Sequence, residues 1–365
     1  MVAIGDAPDL SQAKRALIVK LRHHGDVLLA SPVFDVLKHR APHLEIDALV
    51  YADTAEMLTG HPAISTVHGI DRAWKAAGPL TQAGAEWKLW RTLKSRRYDL
   101  LVHLTEHRRG MWLAKTLGPK FAVAPKLRDA DPLWTESFSH FYALPRQGNS
   151  RHTAEVNLDA LRRIGMSPAE DEKHLTLIAG TAAEQRVAEH LAAHELGRNN
   201  FIHLHPTSRW MFKTWPAERV ATLIDQLMAL GHHVVLTGAP SEVEQAMIAR
   251  ILALTTSAPV NLAGRLTLKE LAALTKCARL FIGVDSAPMH IAASQGTPTV
   301  ALFGPSGDIE WGPWRVEHRI VASQVHPCRP CGNDGCGGSK VSECLTTLPV
   351  ERVLQAAQAM LGEDY

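Results

Sequence analysis

Short, uninterrupted apolar runs alternate along this chain with longer stretches of helical period. Residues 16–21 read Ala-Leu-Ile-Val-Lys-Leu, the length and character of a parallel strand buried on both faces. A polar loop, Arg22-His23-His24-Gly25-Asp26, follows it, with Gly25 suited to a tight turn of positive φ. Apolar positions then recur with helical spacing at Leu28, Leu29, Val33, Val36 and Leu37, until Ala41-Pro42 ends the pattern. Residues 46–50 and 99–104 read as further strands. The pattern restarts near residue 200, with strands expected at 200–205, 233–237, 280–284 and 299–303 and an amphipathic helix over 216–230 stopped by Gly231. Strands alternating with helices predict parallel sheets in an α/β protein. The restart predicts two Rossmann-like halves, joined between residues 165 and 200, where an Ala/Glu-rich helix follows a polar turn at Ser167-Pro168.

One segment stands apart. Residues 85–97 hold five basic residues, one acid and two tryptophans. The plainer expectation is a solvated helix whose Trp and Leu side chains turn to the core. Partial segregation of Trp and Leu from Lys and Arg would also suit a membrane surface or an anionic ligand.

Composition narrows the class. The chain has 365 residues, 46% apolar and 21% charged, which fits two globular domains and excludes disorder and small disulfide scaffolds. A net charge of +2 gives no global basic field, so nucleic acid is not an expected partner. No apolar run approaches the roughly 20 residues that span a bilayer, and residues 1–6 lack the marks of a signal peptide, so a cytoplasmic enzyme is expected.

Ligands of open α/β sheets bind beyond the carboxyl ends of the strands, and several such loops carry chemistry. Asp26 could cap a helix or act as a general base. Asp285, Ser286, Ala287 and His290 open a short helix after the strand at 280–284, where free backbone N–H groups and the dipole favour a pyrophosphate. Thr207, Ser208 and Lys213 could hold phosphate oxygens, and Glu242 a ribose. His107, Arg108 and Arg109, after the strand at 99–104, are candidates for acceptor contacts. The P-loop pattern is absent and no G-x-G-x-x-G follows the first strand, which disfavours a P-loop ATPase and a nicotinamide enzyme. His203 and His205 share one strand face and are expected to be packing residues.

These loops together resemble glycosyltransferase family 9, the ADP-heptose:lipopolysaccharide heptosyltransferases. The resemblance rests on residues 20–32 (KLRHHGDVLLASP), 205–208 (HPTS) with 213–216 (KTWP), 262–265 (LAGR), 285–293 (DSAPMHIAA) and 296–305 (GTPTVALFGP), and runs from about residue 15 to the C-terminus. Within the family it is strongest to members that add the branch heptose of the inner core. It implies a GT-B fold, with two Rossmann-like domains facing across a cleft: an acceptor domain over 1–180, a sugar-nucleotide domain over 181–348, and a C-terminal helix in 349–365 packing back on the N-terminal domain. It implies inverting transfer of heptose from ADP-heptose to an inner-core hydroxyl of lipopolysaccharide, with Asp26 as base, Thr207, Ser208, Lys213, Asp285, Ser286, Ala287 and His290 around the diphosphate, and Glu242 on the ribose. No cofactor is required for that chemistry, and the enzyme would sit peripherally on the inner membrane. Ala287 stands where members often have Gly. A different sugar-nucleotide donor, an epimerase or a non-catalytic nucleotide-sugar-binding protein are the rival readings.

Four of the five cysteines cluster late, Cys328, Cys331, Cys336 and Cys344, with a C-x2-C-x4-C-x7-C spacing and glycines between. Reduced thiols and a structural zinc or iron site are both consistent with that spacing.

Overall fold

The computed structural model describes residues 6–363. The chain divides into two compact units, one from the N-terminus to Gln147 together with Thr153–Leu177, the other comprising Gly148–His152 and everything from Ile178 onward.

The first unit is built on strands β1 (Arg15–Val19), β2 (Glu45–Tyr51), β3 (Thr66–Ile70), β4 (Leu100–His103), β5 (Phe121–Lys126) and β6 (His140–Ala143), with helices α1 (His24–Leu28), α2 (Ser31–Arg40), α3 (Pro79–Arg96), α4 (Arg108–Leu117), α5 (Pro132–Ser137) and α6 (Thr153–Arg162). All six strands are parallel, in the order β3-β2-β1-β4-β5-β6. Leu17, Val19, Leu49 and Leu101 form one face of its core with Met111, Leu117, Trp134 and Phe138. The helical pattern over 28–37 is split: Pro32 sits in the first turn of α2, where its missing N–H costs nothing, and α1 ends before it.

The second unit repeats the plan with β7 (Phe201–His205), β8 (His233–Leu236), β9 (Val260–Asn261), β10 (Leu280–Val284), β11 (Thr299–Phe303) and β12 (His318–Ala322). Its helices are α7 (Thr181–Ala193), α8 (Ala217–Ala229), α9 (Glu242–Leu254), α10 (Leu268–Cys277), α11 (Ala287–Ser294), α12 (Asp308–Trp311), α13 (Glu343–Thr346) and α14 (Val350–Leu361). The order β12-β11-β10-β7-β8-β9 is again all parallel. Each unit therefore has the doubly wound Rossmann order, which reverses direction between β1 and β4 in one sheet and between β7 and β10 in the other.

Two expectations need correction. The last helix, α14, expected on the N-terminal domain, packs into the core of the second unit: Val350, Val353, Ala357 and Leu361 recur on one face and join Leu345, Val300 and Leu302. In α3, Trp87 and Trp90 do not turn to the core. They are 57% and 36% exposed, and Leu93 alone is buried. The basic residue of α3 that does go inward is Arg96, whose Nε and Nη2 donate to Asp47 at 2.8 and 3.0 Å and whose Nη2 also donates to Glu45 at 2.5 Å.

Candidate active site

The crevice at a reversal of strand order is where open α/β sheets bind ligands. In the first unit that point lies beyond the ends of β1 and β4, which are paired from Ala16 and Leu100 to Val19 and His103. The loop leaving β1 leads directly into α1. Gly25 is the second residue of that helix and does not adopt positive φ, contrary to the turn expected for it. Asp26 is not a cap either. His23 holds the cap position, and Asp26 lies in the first turn, half-buried, its carboxylate without hydrogen bond or ion pair among the described residues. An anion there is favoured by the helix dipole yet remains free to accept a proton.

Lys20, directly after β1, joins this crevice without belonging to any of the candidate loops. Its side chain is buried, and Nζ donates to the Leu104 carbonyl at 3.1 Å and to Asn157 Oδ1 at 2.9 Å. Asn157 in turn donates to the Leu29 carbonyl at 2.9 Å, so one ammonium ties the β1 and β4 ends to α6 and to the exit of α1. Burial lowers the Lys20 pKa to about 8, opposed by the negative charge of Asp26. The signal was present: a lone lysine in an apolar strand is rarely buried without a partner.

On the β4 side, His107 caps α4, its Nδ1 accepting from the Arg109 amide at 3.1 Å. Burial, with Arg109 and Arg22 nearby, lowers its pKa. Arg108 is paired with Asp131 and Arg109 with Glu86, each at 2.6 Å. Below them, His103 is fully buried, stacks on Phe138 and accepts close approach from Gly110, where any Cβ would lie 2.2 Å from its ring.

The second reversal lies beyond β7 and β10. Gly283 of β10 pairs with His205 of β7, and a Cβ on Gly283 would stand 2.7 Å from Phe281 and 3.0 Å from the His205 carbonyl, so the two strand ends close tightly only with glycine there. Lys213, from the short 3-10 turn Met211–Lys213, reaches Asp285 with Nζ 2.5 Å from Oδ2, and lies 5.1 Å above the Trp210 ring. Asp285 is buried, and the next residue, Ser286, is the cap position of α11, with Pro288 in the first turn. Ser286 Oγ donates to the Val284 carbonyl at 3.3 Å and Ala287 is the first residue of the helix. His290, one turn in, is 3% exposed and its Nδ1 has no hydrogen-bond partner among the described residues. Burial brings its pKa down to about 4 against the pull of Asp285, with His152 and Lys213 adding to the fall, so the ring is neutral near pH 7. Lys213, Asp285, Ser286, Ala287 and His290 are therefore brought together, a cation and a neutral imidazole at the open end of a helix.

Thr207 and Ser208 are also buried at this point, but the Thr207 hydroxyl is already committed: it donates to Glu244 Oε2 at 2.7 Å. Glu242, the expected ribose ligand, is exposed at the start of α9 with no partner among the described residues. Glu244 also accepts from the Ala239 amide at 3.1 Å. Behind it runs a buried chain. Thr207 meets His205 Nε2 at 3.3 Å, and His205 Nδ1 and His203 Nε2 both meet Thr237 Oγ1, at 2.8 and 2.7 Å. Burial lowers both imidazole pKa values, that of His205 to about 4 against the charge of Glu244. The two histidines are thus packed and satisfied within the sheet.

The cysteines do not assemble a metal site. Cys328 and Cys331 are exposed, Cys336 is half-buried, and Cys344 turns into the core from α13, beside the buried Leu345. Among the described residues no group of three or more His, Cys, Asp or Glu is placed to hold an ion. The thiols are free, and the possible structural zinc or iron is not supported.

Comparison with known proteins places the chain in a family. The profile of Glycosyltransferase family 9 (heptosyltransferase) matches residues 86–341. An Escherichia coli lipopolysaccharide heptosyltransferase 3 is 35% identical over 296 residues, 80% of this chain and 84% of its own length. The protein of that name from strain K12 is 31% identical over 94% of this chain and 97% of its own. In fold, a family 9 glycosyl transferase from Veillonella parvula superposes with a TM-score of 0.83 at 24% identity, covering 98% of this chain and 99% of that one. Escherichia coli heptosyltransferase WaaC with ADP gives 0.73 at 19%, over 95% and 99%. Two Rossmann-like units with these neighbours are the GT-B architecture, and the chain is a glycosyltransferase that belongs to glycosyltransferase family 9, the heptosyltransferases.

Proposed function

We propose that this chain is a lipopolysaccharide core heptosyltransferase that moves heptose from ADP-heptose to a hydroxyl of an inner-core heptose, inverting the anomeric carbon. The names of its relatives support the lipopolysaccharide substrate, and the structures solved with ADP and with an ADP-heptose analogue support the donor. The observation that carries the residue roles is the opposite chemistry of the two strand-order reversals: an uncommitted carboxylate at one, a half-buried cation and a helix N-terminus at the other.

In this reading, Asp26 accepts the proton of the acceptor hydroxyl as that oxygen bonds to the anomeric carbon and the carbon's bond to the diphosphate breaks. ADP departs carrying the growing negative charge. Lys213, the first backbone N–H groups of α11 beside Ser286 and Ala287, and the Nδ1 of a neutral His290 stabilise it from fixed positions. Asp285 holds Lys213 in place, and Ser208 lines the same loop. Thr207, bound to Glu244, shapes that loop from behind, and Glu242 meets the ribose. His107, Arg108 and Arg109 lie on the acceptor side. Because the acceptor is lipid-borne, the enzyme works peripherally on the cytoplasmic face of the inner membrane. No helix among the described residues is long and apolar enough to cross one.

The test is incubation of the purified protein with ADP-heptose and a panel of truncated core lipopolysaccharides, read by mass spectrometry. A gain of one heptose on one truncation is expected. Conversion of the sugar nucleotide without acceptor would make it an epimerase, and ADP-heptose binding without turnover on any core would make it a non-catalytic binder.

A further inference from the structure

The helix α3 is eighteen residues long and buries one side chain, Leu93. Leu80, Ala83, Trp87, Trp90 and Lys94 recur at alternating spacings of three and four, which places them on one side of the helix, and all five are exposed. Trp112 of the neighbouring α4 adds a third bare indole at 55% exposure, and Leu80 is 89% exposed. Between the helices a groove of about 180 Å³ is lined by Trp74, Leu89, Trp90, Trp112 and Leu113. Isolated exposed apolar residues are ordinary, but a contiguous patch holding three indoles marks an interaction surface.

Charge selects its partner. Residues 79–97 and 108–117 carry eight cations and one carboxylate. Arg96 is held by Glu45 and Asp47, Arg108 by Asp131, and Lys115 lies 3.7 Å from Glu136, whereas Lys88, Arg91, Lys94 and Arg97 are without an ion pair among the described residues. The one carboxylate, Glu86, is neutralised by Arg109 at 2.6 Å. Lys88 and Arg91 have no ion-pair partner among the described residues, and the Arg91 guanidinium lies 5.4 Å from the Trp87 ring. A second copy docking here about a two-fold axis would set like charge against like charge. Indoles flanked by cations instead match the boundary between acyl chains and anionic headgroups, where amphipathic rings and basic side chains both find their preferred surroundings.

We propose that the α3–α4 face docks the enzyme on an anionic bilayer, with Trp87, Trp90 and Trp112 at the headgroup boundary and Lys88 and Arg91 over the headgroups. The proposal rests on the reading of a membrane-acting transferase and names the surface that serves it. Arg96 is excluded from the face because Asp47 and Glu45 hold it inward.

The experiment is co-sedimentation of the full chain with vesicles of phosphatidylethanolamine and phosphatidylglycerol, against vesicles of phosphatidylcholine alone. The protein should sediment with the anionic vesicles and be released by salt. Lys88→Gln with Arg91→Gln should lower the partition coefficient by about 25-fold, taking about fivefold for each cation at the surface. Trp87→Ser with Trp112→Ser should lower it on both vesicle types. All four substitutions are of exposed side chains, so thermal melting and turnover of a deacylated core acceptor should stay as in the parent protein. If the parent protein sediments with neither vesicle, both the membrane reading and this face fail. If the parent binds and the variants bind equally, the face is wrong while the membrane reading stands. If the variants instead abolish a dimer seen by sedimentation velocity, the face belongs to a second copy and the proposal is overturned.

Discussion

The two units share one strand order and put opposite chemistry at the same topological point. Beyond β1 an acid, Asp26, stands half-buried and uncommitted in the first turn of a five-residue helix. Beyond β7 and β10 the carboxylate of Asp285 is spent on Lys213 at 2.5 Å, both largely out of solvent. A free carboxylate can take a proton, whereas one held by an ammonium cannot readily do so and serves to aim the cation. The buried polar networks differ in the same sense. In the first unit the network is ionic: Asp47 accepts from Arg96 at 2.8 Å and from Tyr98 at 2.6 Å, and Glu45 is shared between Arg96 and Arg15. In the second it is a chain of neutral imidazoles and hydroxyls from His203 to Thr207, ending on Glu244. Topology gives the two units the same crevice, and the side chains give each crevice its own chemistry.

The largest test of that contrast is Asp26→Asn. Turnover should fall by about 1000-fold, within the range for a lost general base, while ADP binding by calorimetry and thermal melting stay unchanged. A loss of donor affinity instead would erase the division of roles. Lys213→Met should do the reverse, costing about 100-fold in kcat/KM, with most of it in ADP affinity, and it strands Asp285 without its cation. Third, Thr207→Val removes the donor to a buried carboxylate and should cost about 2 kcal/mol of stability by denaturant titration. Hydrogen exchange should place the loosening in β7, β8 and the start of α9.

The smallest effect is one of pH. His290 and His205 are held by burial at about 4 and His203 well below its ordinary value of 6.5. A histidine lowered in the folded state contributes its full stability above about 6.5 and loses it as pH falls toward the folded value. In the first unit, burial would raise the Asp47 pKa, but His68, Arg96 and Tyr98 bring it down to about 2, so its contribution persists to below 3.8. In that unit, among the described residues, burial lowers His103 to about 3, and burial with Arg109 and Arg22 lowers His107. Just below pH 6.5, exchange protection should therefore fall first in the second sheet. Equal loss in both sheets would show that the imidazole chain is not what distinguishes them.

The order of strands and the loops that follow them were legible because a strand buried on both faces must be a short apolar run, and seven such runs stand out. The strands β3, β5, β6, β9 and β12 went unread for the same reason inverted. Four of them, β3, β6, β9 and β12, are sheet edges and β5 lies beside one. Of these, β3, β6 and β12 have mixed faces, as in His318–Ala322 with one buried position, and β9 is two residues long. Asp26 and the Lys213–Asp285 pair were visible as loop residues at strand ends, but the commitment of each side chain was not.

By itself, then, the sequence determined the doubled parallel α/β plan, the positions of the candidate loops and the family, since these follow from local apolar runs and from contiguous motifs. Tertiary structure alone decided which side chains the loops leave free. Glu242 and Glu244 are two residues apart, nearly opposite one another around a helix, and only the packing of α9 turned Glu244 inward to Thr207 and left Glu242 exposed. The same rotational choice bared Trp87 and Trp90 on α3, buried Leu93 and drew Arg96 to Asp47. It also set α14 in the second unit's core and buried Cys344 while leaving Cys328 and Cys331 exposed. A helical period states that a helix has two sides, and the neighbour it packs against determines which side faces in.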